Sequence, residues 1–138
     1  MDKADIPFLS ATVLAELIKN REISSVEAVE AYLDRIDSLD FKFNSFITVS
    51  RKQALAAARE AEQEIAQGNY LGPMHGIPVA VKDQFWSKGF RSTGGSREIM
   101  NDLASFLDGA SQGGGQFAVV GGLTCVYQAA YDDVIGFI

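Results

Sequence analysis

The sequence predicts an α/β domain in which N-terminal helices pack on a partial mixed sheet. Two observations carry this. Three stretches in the first half repeat apolar residues at helical spacing, around 10–20, 24–39 and 50–67. Two short β-rich runs, 45–49 and 77–82, each follow one of those helical stretches. Helix and strand in alternation argue for an α/β layer arrangement.

The first helix spans about 10–20, with Ser10 as its cap and Val13, Leu14, Leu17 and Ile18 on one face. Ser24-Ser25-Val26-Glu27 has the capping-box pattern, in which the serine accepts from a free N–H and the glutamate reaches back. Val26, Val29, Leu33 and Ile36 continue that helix to about Leu39, and a strand follows at about 45–49. Ser50-Arg51-Lys52-Gln53 repeats the pattern and opens an alanine-rich helix that ends at Gly68. Its stripe of Ala54, Leu55, Ala58, Ala61, Glu62 and Ile65 is slim enough to sit close on a sheet. Pro73 and Pro78 discourage helix on either side of His75, so 68–76 is read as a loop before the strand 77–82. Beyond it the pattern suggests a short helix at 96–107, a glycine-rich breaker at 109–115 and a strand at 117–120.

At 138 residues the chain is one domain by length, with 47% hydrophobic and 22% charged residues, the balance of a globular protein. A net charge of −6 gives no bulk signal for a nucleic-acid partner. The lone Cys125 excludes an internal disulfide and suits a reducing compartment. The charged start Met1-Asp2-Lys3-Ala4-Asp5 is no signal peptide, and no apolar stretch is long enough for a bilayer. A cytoplasmic location without membrane contact is therefore expected. His75 and Cys125 are too few for a metal site, and no phosphate-binding glycine loop is present, so neither metal nor cofactor is expected.

The chemistry concentrates in Gly72-Pro73-Met74-His75-Gly76-Ile77-Pro78-Val79-Ala80-Val81-Lys82-Asp83. Turn residues lead into an apolar run that reads as a buried strand and ends in a lysine. Two readings of Lys82 stand side by side. Burial disfavours the ammonium form and can make a lysine a base at neutral pH. A lysine that snorkels into water, paired with Asp83 or another acid, is only a soluble strand end.

This segment resembles the lysine segment of the amidase signature family. The likeness continues through Lys88-Gly89-Phe90-Arg91-Ser92-Thr93-Gly94-Gly95-Ser96 and, upstream, through residues 23–33 and 44–49, covering about 8–100 in all. The resemblance implies a fragment of the amidase signature fold. It implies an amide (C–N) hydrolase in which Lys82 works with two serines, one the nucleophile and one, in a cis peptide, the proton bridge between nucleophile and lysine. It also implies a small amide substrate. The family includes the A subunit of glutamyl-tRNA amidotransferase, so a fragment of that protein is an alternative, as is a non-catalytic remnant that binds a partner. The Gly/Ser stretch that carries the family's serines has no match here. Ser96 falls in the family's Gly-Ser turn, which is not catalytic, and Ser111 lacks the family's flanks.

Composition changes where the resemblance fades. Residues 1–97 hold 13 acids against 12 bases, whereas 98–138 hold five acids, no base and seven of the 13 glycines. The chain accordingly divides into 1–102, the amidase-like part, and 103–138, a divergent glycine-rich apolar tail. A truncated product, or a reading frame shifted after about residue 102, is the expectation, with little activity of its own. Phe85 and Trp86 could line a substrate pocket or cover the core, and Arg91 and Arg97 could edge that pocket or be solvated. An incomplete sheet would leave the edges of strand 77–82 unpaired, which favours self-association.

Overall fold

A computed structural model describes residues 1–83 together with the backbone of 124–129. The expectations for 84–123 and 130–138 lie outside the described residues. These are the helix at 96–107, the strand at 117–120 and the sites suggested for Phe85, Trp86, Arg91, Ser96, Arg97 and Ser111.

The three expected helices form. A 3-10 helix over Lys3–Phe8 precedes them, in a segment too short to show periodicity. Helix α1 runs Ala11–Lys19, with Ser10 Oγ accepting from the Val13 N–H at 3.3 Å. Helix α2 runs Ser25–Phe43. Its capping box is complete: Ser24 Oγ accepts from the Glu27 N–H at 3.0 Å, and Glu27 Oε2 accepts from the Ser24 N–H at 2.8 Å. The helix outlasts the expected end at Leu39 by a turn, because the exposed Phe41 and Phe43 carry no core-facing signal. It stops where Asn44 takes the left-handed conformation (φ 50°). There the Asn44 N–H donates to the Asp40 carbonyl at 2.7 Å, and the Asp40 carboxylate accepts from the Ser45 N–H at 2.7 Å.

Helix α3, Arg51–Ala66, departs from expectation at its start. Ser50 makes no side-chain cap bond. Its ψ of 52° lies outside the extended region that aims a capping oxygen at the first turn, and the residue is buried instead. At the other end Gly68 follows with φ 86°, donating to the Ile65 carbonyl at 3.0 Å, as the sequence suggested. Ala54, Ala58 and Ala61 are fully enclosed. Their small size lets α3 lie close against both α2 and the sheet. Leu14 and Ile18 of α1 and Val29 and Leu33 of α2 belong, with Ala28 and Ile77, to one continuous core.

Among the described residues the sheet has three strands: β1, Phe46–Val49; β2, Pro78–Lys82; and β3, Thr124–Ala129, in the order β1-β3-β2. β3 is antiparallel to β1 and parallel to β2, so the expected mixed sheet is present. β3 itself was not foreseen. Its Thr, Cys, Val and Tyr are good strand formers, but they follow a glycine pair in a segment whose composition reads as a tail.

Candidate active site

The lysine strand is held from three sides before it reaches Lys82. The turn leading to it is pinned by His75, which is buried. His75 Nδ1 accepts from the Leu71 N–H at 3.2 Å, and Nε2 lies 2.9 Å from Glu64 Oε2 on α3. His75 is thus a packed, hydrogen-bonded residue of the turn. Gly76 comes next with φ 81°, a conformation that favours glycine. It lies against Ser25 of α2 and Ile18 of α1, so closely that an added Cβ would collide with Ser25 Oγ. Ile77 then enters the core at 4% exposure.

From Pro78 onward the strand differs from the buried one expected. Pro78, Val79, Val81 and Lys82 are half-buried and Ala80 is exposed. Position accounts for this: among the described residues, β2 stands at one end of the strand order, with β3 as its neighbour. The pairing with β3 runs from Pro78 opposite Thr124 to Lys82 opposite Ala129, with an irregularity between Val79 and Ala80. Because the two strands are parallel, Lys82 and Ala129 share the carboxyl end of the pair. That end is where open α/β sheets place ligands, since loops there are free to diverge. Asp83 follows directly and is 4% exposed.

The structure therefore gives Lys82 a fixed backbone, partial burial and a position at the carboxyl end of the sheet. Sequence reasoning missed Glu64 as the partner of His75 and Ser25 as the floor beneath Gly76. Neither carried a local signal, since Glu64 lies on another element and Ser25 reads as one more capping-box residue. Among the described residues, no group of three or more metal-binding side chains converges, and no helix is long and apolar enough to cross a membrane.

Comparison with known proteins places these features in a family context. The family model described as Amidase matches residues 27–109, a span that includes the lysine strand. The A subunit of the glutamyl-tRNA(Gln) amidotransferase of Methylobacillus flagellatus is 46% identical over 93 residues, covering 67% of this chain and 19% of that protein. Among solved structures, a fatty acid amide hydrolase superposes with a TM-score of 0.71 at 26% identity, over 92% of this chain and 22% of the other. A bacterial aryl acylamidase of the amidase signature enzymes gives a TM-score of 0.71 at 26% identity, over 90% and 25%. The chain thus spans about a fifth of the length of the curated relative it matches.

Proposed function

This chain belongs to the amidase signature family, and on that premise we propose that it carries the lysine of an amide (C–N) hydrolase, with Lys82 as the base of a serine–cis-serine–lysine triad. The observation that carries the reading is the place of Lys82: inside the matched segment, half-buried, at the carboxyl end of a parallel strand pair. In this reaction the nucleophilic serine attacks the amide carbonyl carbon while its proton passes through the bridging serine to the Lys82 side chain. The proton then returns to the departing nitrogen as the C–N bond breaks, and water repeats the cycle on the acyl-enzyme. Backbone N–H groups would hold the oxyanion. The Gly/Ser stretch that supplies the two serines has no counterpart among the 138 residues. Members of such a triad act as a unit, so these residues by themselves are expected to hydrolyse little or nothing.

Within the family, the amidotransferase is the favoured template. Identity to its A subunit is 46% over a 93-residue match. The amide acted on would then be the side chain of glutamine, with ammonia as the product passed onward.

Two assays test this. The purified chain, incubated with glutamine and simple primary amides, is expected to release no ammonia above background, alone or as Lys82→Ala. Hydrolysis that Lys82→Ala abolishes would show that the chain already holds a complete site. In the second assay, residues 27–83 replace their aligned counterparts in the Methylobacillus flagellatus protein, the rest of which is kept. Activity should survive the graft and fall by about 10²–10⁴-fold in Lys82→Ala, the usual worth of a positioned base. A graft as active with alanine as with lysine would refute the assignment and leave a non-catalytic, partner-binding module as the better account.

A further inference from the structure

His75 is the chain's single histidine, and its side chain is only 1% exposed. A neutral imidazole has one donor and one acceptor nitrogen. Here Nδ1 accepts from the Leu71 N–H at 3.2 Å, which leaves Nε2–H to donate to Glu64 Oε2 at 2.9 Å. Both capacities are used, and the Leu71 bond fixes which nitrogen carries the proton. An imidazolium, in contrast, has two donors and no acceptor. Its Nδ1–H would point at the Leu71 N–H, donor against donor, and that bond must open. Glu64 would gain a charged partner, and its side chain, 34% exposed, can follow the ring outward.

We propose that Glu64, His75 and Leu71 form a proton-operated latch: neutral His75 closes the 71–75 turn through the Leu71 N–H, and protonation opens that bond while the contact to Glu64 on α3 becomes an ion pair. Gly76 and Ile77 connect the latch directly to β2, so the same event loosens the approach to the strand that carries Lys82. The latch rests on geometry alone and stands whether or not Lys82 is a base. Among the described residues, the surrounding charges do not duplicate it. From α1, Glu16 and Lys19 pair with each other at 3.7 Å, and Lys19 Nζ sits 5.8 Å from the centre of the Tyr70 ring. Tyr70, in the loop, lies 6.0 Å ring to ring from His75. Helix α2 contributes the uncharged Ser25 beneath Gly76, and α3 contributes Glu64.

The experiment is a pH titration of the full chain followed by NMR, in which a single histidine makes the ring resonances unambiguous. With His75 neutral, the ring nitrogens should report Nε2–H, and the Leu71 amide should be protected from exchange. As His75 protonates, the Leu71 protection factor should fall about five- to tenfold, the worth of one hydrogen bond, while that of Val29 in α2 holds. In Glu64→Gln, whose amide oxygen still accepts from Nε2–H, Leu71 should remain protected while His75 is neutral. In His75→Phe its protection should be low and without a pH step. An Nδ1–H tautomer, a Leu71 amide unprotected while His75 is neutral, or one whose protection ignores the titration of His75 would overturn the latch.

Discussion

Ser25 Oγ occupies the space where a Cβ on Gly76 would stand. Two separate constraints meet at this point. Gly76 has φ 81°, which costs a residue with a side chain about 1–2 kcal/mol, and the added methyl would force Ser25 and Ile18 apart, at about 1–3 kcal/mol. Gly76→Ala is therefore expected to lower stability by about 2–5 kcal/mol in urea denaturation. Adding Ser25→Ala should recover part of the loss, because Ser25 Cβ and Ile18 Cγ2 remain at 3.1 and 3.4 Å from the new carbon. A single variant within about 0.5 kcal/mol of the wild type would contradict the packing described.

Ser25 alone makes the opposite prediction. Its hydroxyl is buried and finds no hydrogen-bond partner among the described residues. A hydroxyl removed from water without compensation costs stability, so deleting it relieves a penalty. Ser25→Ala should lie between neutral and about 1 kcal/mol more stable than the wild type. A clear loss in the same denaturation assay would mean that the hydroxyl has a partner, such as a buried water.

The two capping sequences should separate under mutation. Ser24 makes both bonds of its box and Ser50 makes no side-chain cap bond. Ser24→Ala is expected to cost about 1 kcal/mol by loss of the cap. Ser50→Ala should cost nothing through capping, and its measured effect reports the packing of a small buried side chain. Equal losses relieved by Asp at both positions would show that both serines cap.

These residues also mark how far the sequence could be read. Helix positions were legible because Leu14, Ile18, Val29 and Leu33 recur at helical spacing, a signal contained within each element. The lysine strand was legible from its β-branched run and its turn residues. What escaped was whatever depends on two elements at once. The fates of Ser24 and Ser50 differ although their patterns match, because the backbone entering α3 is set by β1 and the packing around it. The half-burial of β2 follows from its place at the end of the strand order, and its partner β3 begins only at Thr124, far along the chain. For the candidate site, the position of Lys82 was readable, whereas the Glu64–His75 contact and the Gly76–Ser25 contact were not.

Alkaline pH should destabilise the fold through Tyr32. Burial raises its phenol above the ordinary 10.0. The folded form therefore holds its proton more tightly than the unfolded one. This contribution is fully present below about pH 10 and is lost as pH rises through the raised folded value. Tyr70 acts in the same direction, chiefly through burial and secondarily through Glu16. Lys3 adds a third such group, raised mainly by its hydrogen bond to Asp34 and then by that to Glu30, but it is exposed and screened by salt. In high salt, Tyr32→Phe should thus flatten the decline in urea midpoint between about pH 9 and 11. A decline that persists unchanged in Tyr32→Phe/Tyr70→Phe would assign it elsewhere.

β3 is the strand on which the sheet depends, because it lies between β1 and β2 and pairs with both. Without it, neither of the other two has its partner within this three-stranded order. Two separated strands carry unpaired N–H and C=O groups along their edges, the usual template for association between chains. A polypeptide ended after Leu123 is therefore expected to lose strand signal in circular dichroism and to elute as larger species in sizing chromatography. Proline at Val126 should act in the same direction by removing a donor from the middle of the central strand. The helical core, built from α1, α2 and α3, should keep its helical signal in both cases, since Leu14, Val29, Leu33 and Ala58 are enclosed by one another and by their neighbours. A monomeric shortened chain with unchanged strand content would show that β3 is not the central strand.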